Sequence, residues 1–185
     1  MPQVIRQVSA AADDGYWYSW ASLFYHSYEY IVFGSGGDGH WDAWARFTGI
    51  NIPAGAKIVS AYLKLYMYSG SPECNVYFND AAAPTAPSSF SNADGKALTS
   101  NYVYWHVDGS GWTVSPNLAA PVQELVDSYA PYSNGAMMVL LKTWDSGPAD
   151  TGNARTYENG DHSLAPILQI SYAVGGKVRF IGVML

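Results

Sequence analysis

Two adjacent carboxylates, Asp13 and Asp14, stand immediately before Gly15. Loop carboxylates are the hard oxygen donors that calcium takes, so calcium is the one cofactor the sequence offers a place for. The simpler reading is a solvated turn and no cofactor. Trp17 and Trp20 form one close pair along the chain, and Trp41 and Trp44 another. Exposed rings stack on the apolar faces of sugars, which makes these four the candidates for a glycan-binding face; the competing reading is core packing. Gly34, Gly36 and Gly39 form a G-x-G-x-x-G, but a phosphate-binding version needs a helix directly after it. Here His40-Trp41-Asp42-Ala43-Trp44 leads into a strand, so the glycines read as a loop. His26, His40, His106 and His162 show no metal-ligand spacing. Glu124 and Asp127 sit at i, i+3 of a predicted helix; a glycosidase pair must straddle a bond across a cleft, and these read as ordinary exposed acids. No nucleophile stands with a base and an oxyanion-binding loop, and the chain is expected not to be an enzyme.

The balance of residues points the same way. The chain has 185 residues, with 15 Tyr and 7 Trp and only 13% charged side chains, so its surface draws polarity from Tyr, Ser, Asn and Thr. Tyr-rich faces suit contacts with proteins or sugars, and they also suit plain β-sheets. The net charge is −6, carried by an acidic body between basic ends, Arg6 at one and Lys177 and Arg179 at the other. An acidic body argues against nucleic acid as a partner. Cys74 is the single cysteine, which excludes an internal disulfide and a thiol metal cluster. No apolar run is long enough to cross a bilayer, and no signal-peptide core is expected at residues 1–6.

The elements that must position these residues alternate with a period of two. Residues 44–48 read as a strand, residues 52–57 as a Pro/Gly turn, and residues 58–68 as a second strand. Val59, Ala61, Leu63, Leu65 and Met67 share one face of it, and Ser60, Tyr62, Lys64, Tyr66 and Tyr68 the other. Further strands are expected near residues 4–8, 75–78, 102–107, 137–142 and 166–172. Leu63, Leu65, Val139, Leu141, Leu168 and Ile170 are expected in one core. One short helix is predicted from the stripe Leu118, Val122, Leu125 and Val126, with Pro121 tolerable only in its first turn. Residues 81–101 read as a long loop. The expectation is an all-β fold, an antiparallel β-sandwich, jelly-roll-like, with one short helix. It occupies residues 1–174 and is followed by a C-terminal arm, 175–185. Beyond Gly175-Gly176 the arm carries Lys177, Val178, Arg179, Phe180, Ile181 and Met184. Such an apolar segment suits strand addition to a neighbouring subunit.

Ala45-Arg46-Phe47, followed by Ile52-Pro53-Ala54-Gly55-Ala56-Lys57-Ile58-Val59-Ser60-Ala61-Tyr62-Leu63-Lys64-Leu65, resembles the DNRLRE-type β-sandwich domain. Gly111-Trp112, Ser115-Pro116-Asn117-Leu118, Asn134-Gly135, Ala154-Arg155-Thr156-Tyr157 and Ala165-Pro166-Ile167-Leu168 extend the resemblance over residues 4–172. It implies a fold more than an activity, and it brings no catalytic residues. Relatives of this type resemble carbohydrate-binding modules of secreted bacterial proteins and domains of phage virion and tail proteins. Residues 16–30 and the C-terminal extension depart from the pattern. Two expectations follow. The first is a structural protein of a phage particle (capsid decoration, fibre or tail component), located in the virion, contacting other virion proteins or copies of itself. The alternative is a carbohydrate-binding module, secreted and extracellular, that stacks sugars on Trp and Tyr; the two coexist in a virion surface protein that binds host glycans.

Overall fold

A computed structural model describes residues 1–36, 39–144 and 150–174. The strands are β1 (Gln3–Gln7), β2 (Asp14–Tyr18), β3 (Leu23–His26), β4 (Tyr30–Gly36), β5 (Gly39–Ile52), β6 (Ala56–Ser69) and β7 (Glu73–Phe78). After helix α1 (Phe90–Asp94) come β8 (Val103–His106), β9 (Gly111–Val114), helix α2 (Ala119–Tyr129), β10 (Tyr132–Lys142), β11 (Asp150–Arg155) and β12 (Ile167–Val174). The C-terminal arm, with Lys177, Val178, Arg179, Phe180, Ile181 and Met184, lies outside the described residues.

The fold is all-β, and every strand pairing among the described residues is antiparallel. The strands form one continuous sheet in the order β1-β12-β6-β11-β4-β5-β10-β7-β8, with β2 and β3 attached beside β5 and β9 beside β6. The sheet curls: β1 is far from β5 along that path, yet Arg6 Nε donates to the Gly49 carbonyl at 2.8 Å. The two longest strands, β5 and β6, are joined by a tight turn in which Ala56 N–H donates to the Pro53 carbonyl at 3.3 Å. Gly55 holds φ at 71° there, as the third residue of a type II turn requires.

Alternation decides what β6 buries. Ala61, Leu63, Leu65 and Met67 are fully buried. Val59 was expected beside them but is 46% exposed. A bulge is the cause, since the register with β12 slips between Ser171 and Tyr172, pairing Ser60 with Ser171 and Ile58 with Tyr172. A bulge adds one residue and turns the side chain there away from its expected face. The expected core set, Leu63, Leu65, Val139, Leu141, Leu168 and Ile170, does pack into one cluster.

The far edge of β6 is closed by side chains beyond the end of β9. Ser115 Oγ accepts from Leu63 N–H at 3.0 Å, Asn117 Oδ1 from Ala61 N–H at 3.0 Å, and Gln123 Oε1 from Ile58 N–H at 2.7 Å. An edge satisfied this way offers no ladder for a stray strand. Helix α2 carries Gln123 and buries Pro121, Val122, Leu125 and Val126 against the core, with Pro121 at its third position.

The single-helix expectation is corrected: residues 81–101 contain a second helix, α1. Its one turn is capped by Ser89, whose Oγ accepts from Asn92 N–H. It covers a second core of Trp17, Trp44, Ala93, Met138 and Leu140, joined by Phe24, Tyr77 and Phe90. The β5–β10 pair is therefore buried on both faces, which explains the unbroken apolar run from Met137 to Leu141.

Replacing Leu65 with Ala is expected to cost roughly 2–5 kcal/mol. Replacing Lys64, which points the other way, should cost less than about 0.5 kcal/mol. Urea denaturation of the two variants measures the difference.

Candidate functional site

The outward face of β6 carries Tyr62, Lys64, Tyr66 and Tyr68, because the inward face takes the alternate residues. β9 lies alongside it, pairing Tyr66 with Trp112 and Lys64 with Val114. The Tyr66 and Trp112 rings meet edge to face, 5.6 Å apart at 87°. That arrangement aims the positive ring edge at the negative face of its partner. β11 then brings Arg155, whose guanidinium lies 4.6 Å from the Tyr68 ring centroid. Asn153 Nδ2 donates to Ser69 Oγ at 2.9 Å and holds the two strands together beside this contact. Trp112, Val114 and Tyr68 are 44%, 50% and 59% exposed. Tyr30 pairs with Arg155 across β4 and β11, and with Ser27, Tyr28 and Glu29 it lines a surface depression of about 300 Å³. The result is an aromatic strip with Lys64 and Arg155 beside it, mounted on β6 and β11, whose other sides are core, and on β9 at their edge.

The four tryptophans weighed as glycan-face candidates against core packing divide between the two. Trp17 and Trp44 are fully buried in the second core, a correction to their reading as sugar-stacking candidates. Phe24 stacks on Trp44 at 5.2 Å, and Trp17 Nε1 donates to Asp94 Oδ1 at 3.3 Å. Gly15 makes the room: a Cβ there would stand 2.3 Å from Trp44 Cη2. Trp41 lies on the opposite side of β5, stacked on Tyr18 at 4.2 Å and half-buried. Trp20, at the turn between β2 and β3, is 70% exposed. The reason is the alternation of β2 and β5, which sends Trp17 and Trp44 to one face and Tyr16, Tyr18 and Trp41 to the other.

Asp13 and Asp14 meet different fates. Asp13 accepts from Arg46 Nη1 at 2.6 Å. Asp14 is not in a solvated turn; it is fully buried, and its Oδ2 accepts from Tyr157 N–H at 3.1 Å. The Glu158 carboxyl lies within hydrogen-bonding reach of it. Burial first, and then the charge of Glu158, push the Asp14 carboxyl up to about 8. Among the described residues no three His, Cys, Asp or Glu side chains converge as a metal-ligand set.

The remaining residues of chemical interest serve structure. Glu124 accepts from the backbone of Ser100 and Asn101, tying the α1–β8 loop to α2. Asp127 accepts from Gln123. His40 lies 3.4 Å from Asp42, His106 bridges Glu73 and Asp108, and His162 stacks on Tyr157. Gly36 and Gly39 pair between β4 and β5, so strands flank the glycine loop on both sides.

Sequence reasoning passed over Trp112, Arg155 and Glu158 as site residues. Trp112 and Val114 alternate within a four-residue strand, a signal too short to place them beside Tyr66. Nothing local marks Arg155 or Glu158, whose partners are remote in sequence.

Trp17→Ala and Trp44→Ala are each expected to lower stability by roughly 3–5 kcal/mol. Trp20→Ala should change it by less than about 0.5 kcal/mol; guanidinium unfolding of the three variants checks this. The chain was compared with protein-family models and with curated proteins, and it matches none of either.

Proposed function

We propose that this chain is a non-catalytic structural subunit of a phage particle, a decoration, fibre or tail component, whose contact surface is the aromatic strip on β6, β9 and β11. The observation that carries this reading is the strip itself: Tyr66, Tyr68, Trp112 and Val114, partly or largely exposed, with Arg155 laid on Tyr68. Tyr, Trp and Arg are the side chains that dominate protein–protein hot spots, and contiguous exposed apolar surface marks interaction sites. The low charge content and the resemblance to DNRLRE-type domains support the same role. The sequence of the arm supports it too, with Lys177 and Arg179 ahead of Ile181 and Met184. The partners on this reading are other virion proteins or copies of the chain, and the location is the virion.

One feature favours a second reading, a secreted sugar-binding domain. Exposed rings beside Lys64 and Arg155 are also the elements that hold a saccharide, rings for its apolar face and cations for its hydroxyls.

Light scattering across a concentration series tests the first reading. The wild type is expected to form a defined oligomer, and Tyr66→Ala/Trp112→Ala should weaken association at least tenfold (about 1.4 kcal/mol) with little change in melting temperature. A wild-type monomer that is retarded by polysaccharide in affinity electrophoresis, with retardation lost in the double variant, would establish the second reading instead. A monomer with no retardation overturns both.

A further inference from the structure

Asp14 and Glu158 present an imbalance that the aromatic strip does not touch. Asp14 Oδ1 and both Oε atoms of Glu158 are shut off from solvent, and among the described residues no N–H or hydroxyl donor reaches them. Asp14 is 0% exposed on β2. Glu158 belongs to Tyr157–Asn159, the first of two short 3-10 turns between β11 and β12. The two elements are linked by the Tyr157 N–H bond to Asp14 Oδ2. The adjoining carboxylate, Asp13, is already neutralised by Arg46 at 2.6 Å. Among the described residues no ion pair with Lys, Arg or His reaches Asp14 or Glu158.

Buried carboxylates without partners are costly, and native structures satisfy nearly all such atoms. A proton held between the two groups makes a single O–H···O contact. It satisfies two of the three orphaned oxygens and leaves the third. A cation bound between the two carboxyls would give both of them a counter-charge. The donors are all hard carboxylate oxygens, which excludes a preference for soft or imidazole-loving metals and suits calcium with its large, flexible coordination shell.

We propose that Asp14 and Glu158 together bind a calcium ion that fastens the Tyr157–Asn159 turn to β2, with Asp13 outside the site because Arg46 holds it. The ion would complete its shell with water or backbone carbonyls, as calcium does in most protein sites. The proposal is independent of what the aromatic strip binds.

The test uses the full chain stripped with chelator. Its melting temperature is followed at pH 7 with added calcium chloride or magnesium chloride, and terbium luminescence is excited through tyrosine. Calcium at about a hundredfold excess over its Kd should raise the melting temperature by roughly 5–10 °C. Terbium should luminesce when bound, and calcium should displace it. Glu158→Gln and Asp14→Asn should each unfold cooperatively and lose both responses, while Asp13→Asn should keep them. Calcium stabilisation that persists in both Glu158→Gln and Asp14→Asn overturns the site. So does a wild type indifferent to calcium; a melting temperature that then falls from pH 6 to 9, but not in Asp14→Asn, would assign the gap to a shared proton.

Discussion

The buried carboxylate of Asp42 is the constraint on which the two central strands depend. It is fully buried on β5. Lys142 Nζ meets its Oδ2 at 2.5 Å, and Thr143 donates its N–H to Oδ1 at 2.7 Å. Both partners lie at the end of β10, so the carboxylate pins the β5–β10 register where the ladder finishes. A slip of one residue would flip every side chain of β10 to the other face and take Lys142 and Thr143 away from the buried Asp42 carboxylate, leaving only His40 of β5 beside it among the described residues. Removing one partner of such a pair costs about 3–5 kcal/mol. Lys142 extends the link further. It reaches Asp94 at the end of α1 at 3.2 Å and lies 4.8 Å from the Trp17 ring centroid. One ammonium thus ties β5, β10, α1 and the second core together.

The strand that carries the proposed contact face, β6, is held on both of its edges. Its inward residues lock into the main core, β12 pairs one edge, and β9 with Ser115, Asn117 and Gln123 satisfies the other. With these backbone groups paired, the proposed contact with a partner falls to side chains. Those side chains are aromatic rings already braced against one another, Tyr66 on Trp112 and Tyr68 under Arg155. Braced rings lose little conformational freedom on binding, which favours affinity.

The dipeptide Asp13-Asp14 shows how finely neighbours divide chemistry. The two carboxylates are adjacent in sequence, yet one points to Arg46 and the other is buried beside the Glu158 carboxyl. Successive residues entering a strand face opposite sides, so chemically identical groups receive a guanidinium in one case and a second acid in the other.

The sequence by itself determined the all-β class, because a period of two over residues 58–68 has no helical counterpart. It determined the helix at α2, because Leu118, Val122, Leu125 and Val126 repeat at helical spacing, and it determined six residues of the main core. The tertiary structure alone decided the rest. Alternation says which residues share a face but not whether that face is covered, so only the arrival of α1 and β3 sent Trp17 and Trp44 into a core and left Trp20 outside. A one-turn helix such as α1 is too short to show periodicity, and the bulge that exposes Val59 is set by its partner strand β12. Trp112 meets Tyr66, Arg155 meets Tyr68 and Glu158 meets Asp14 across long stretches of chain. Such pairings are products of sheet register, which local residue patterns do not encode.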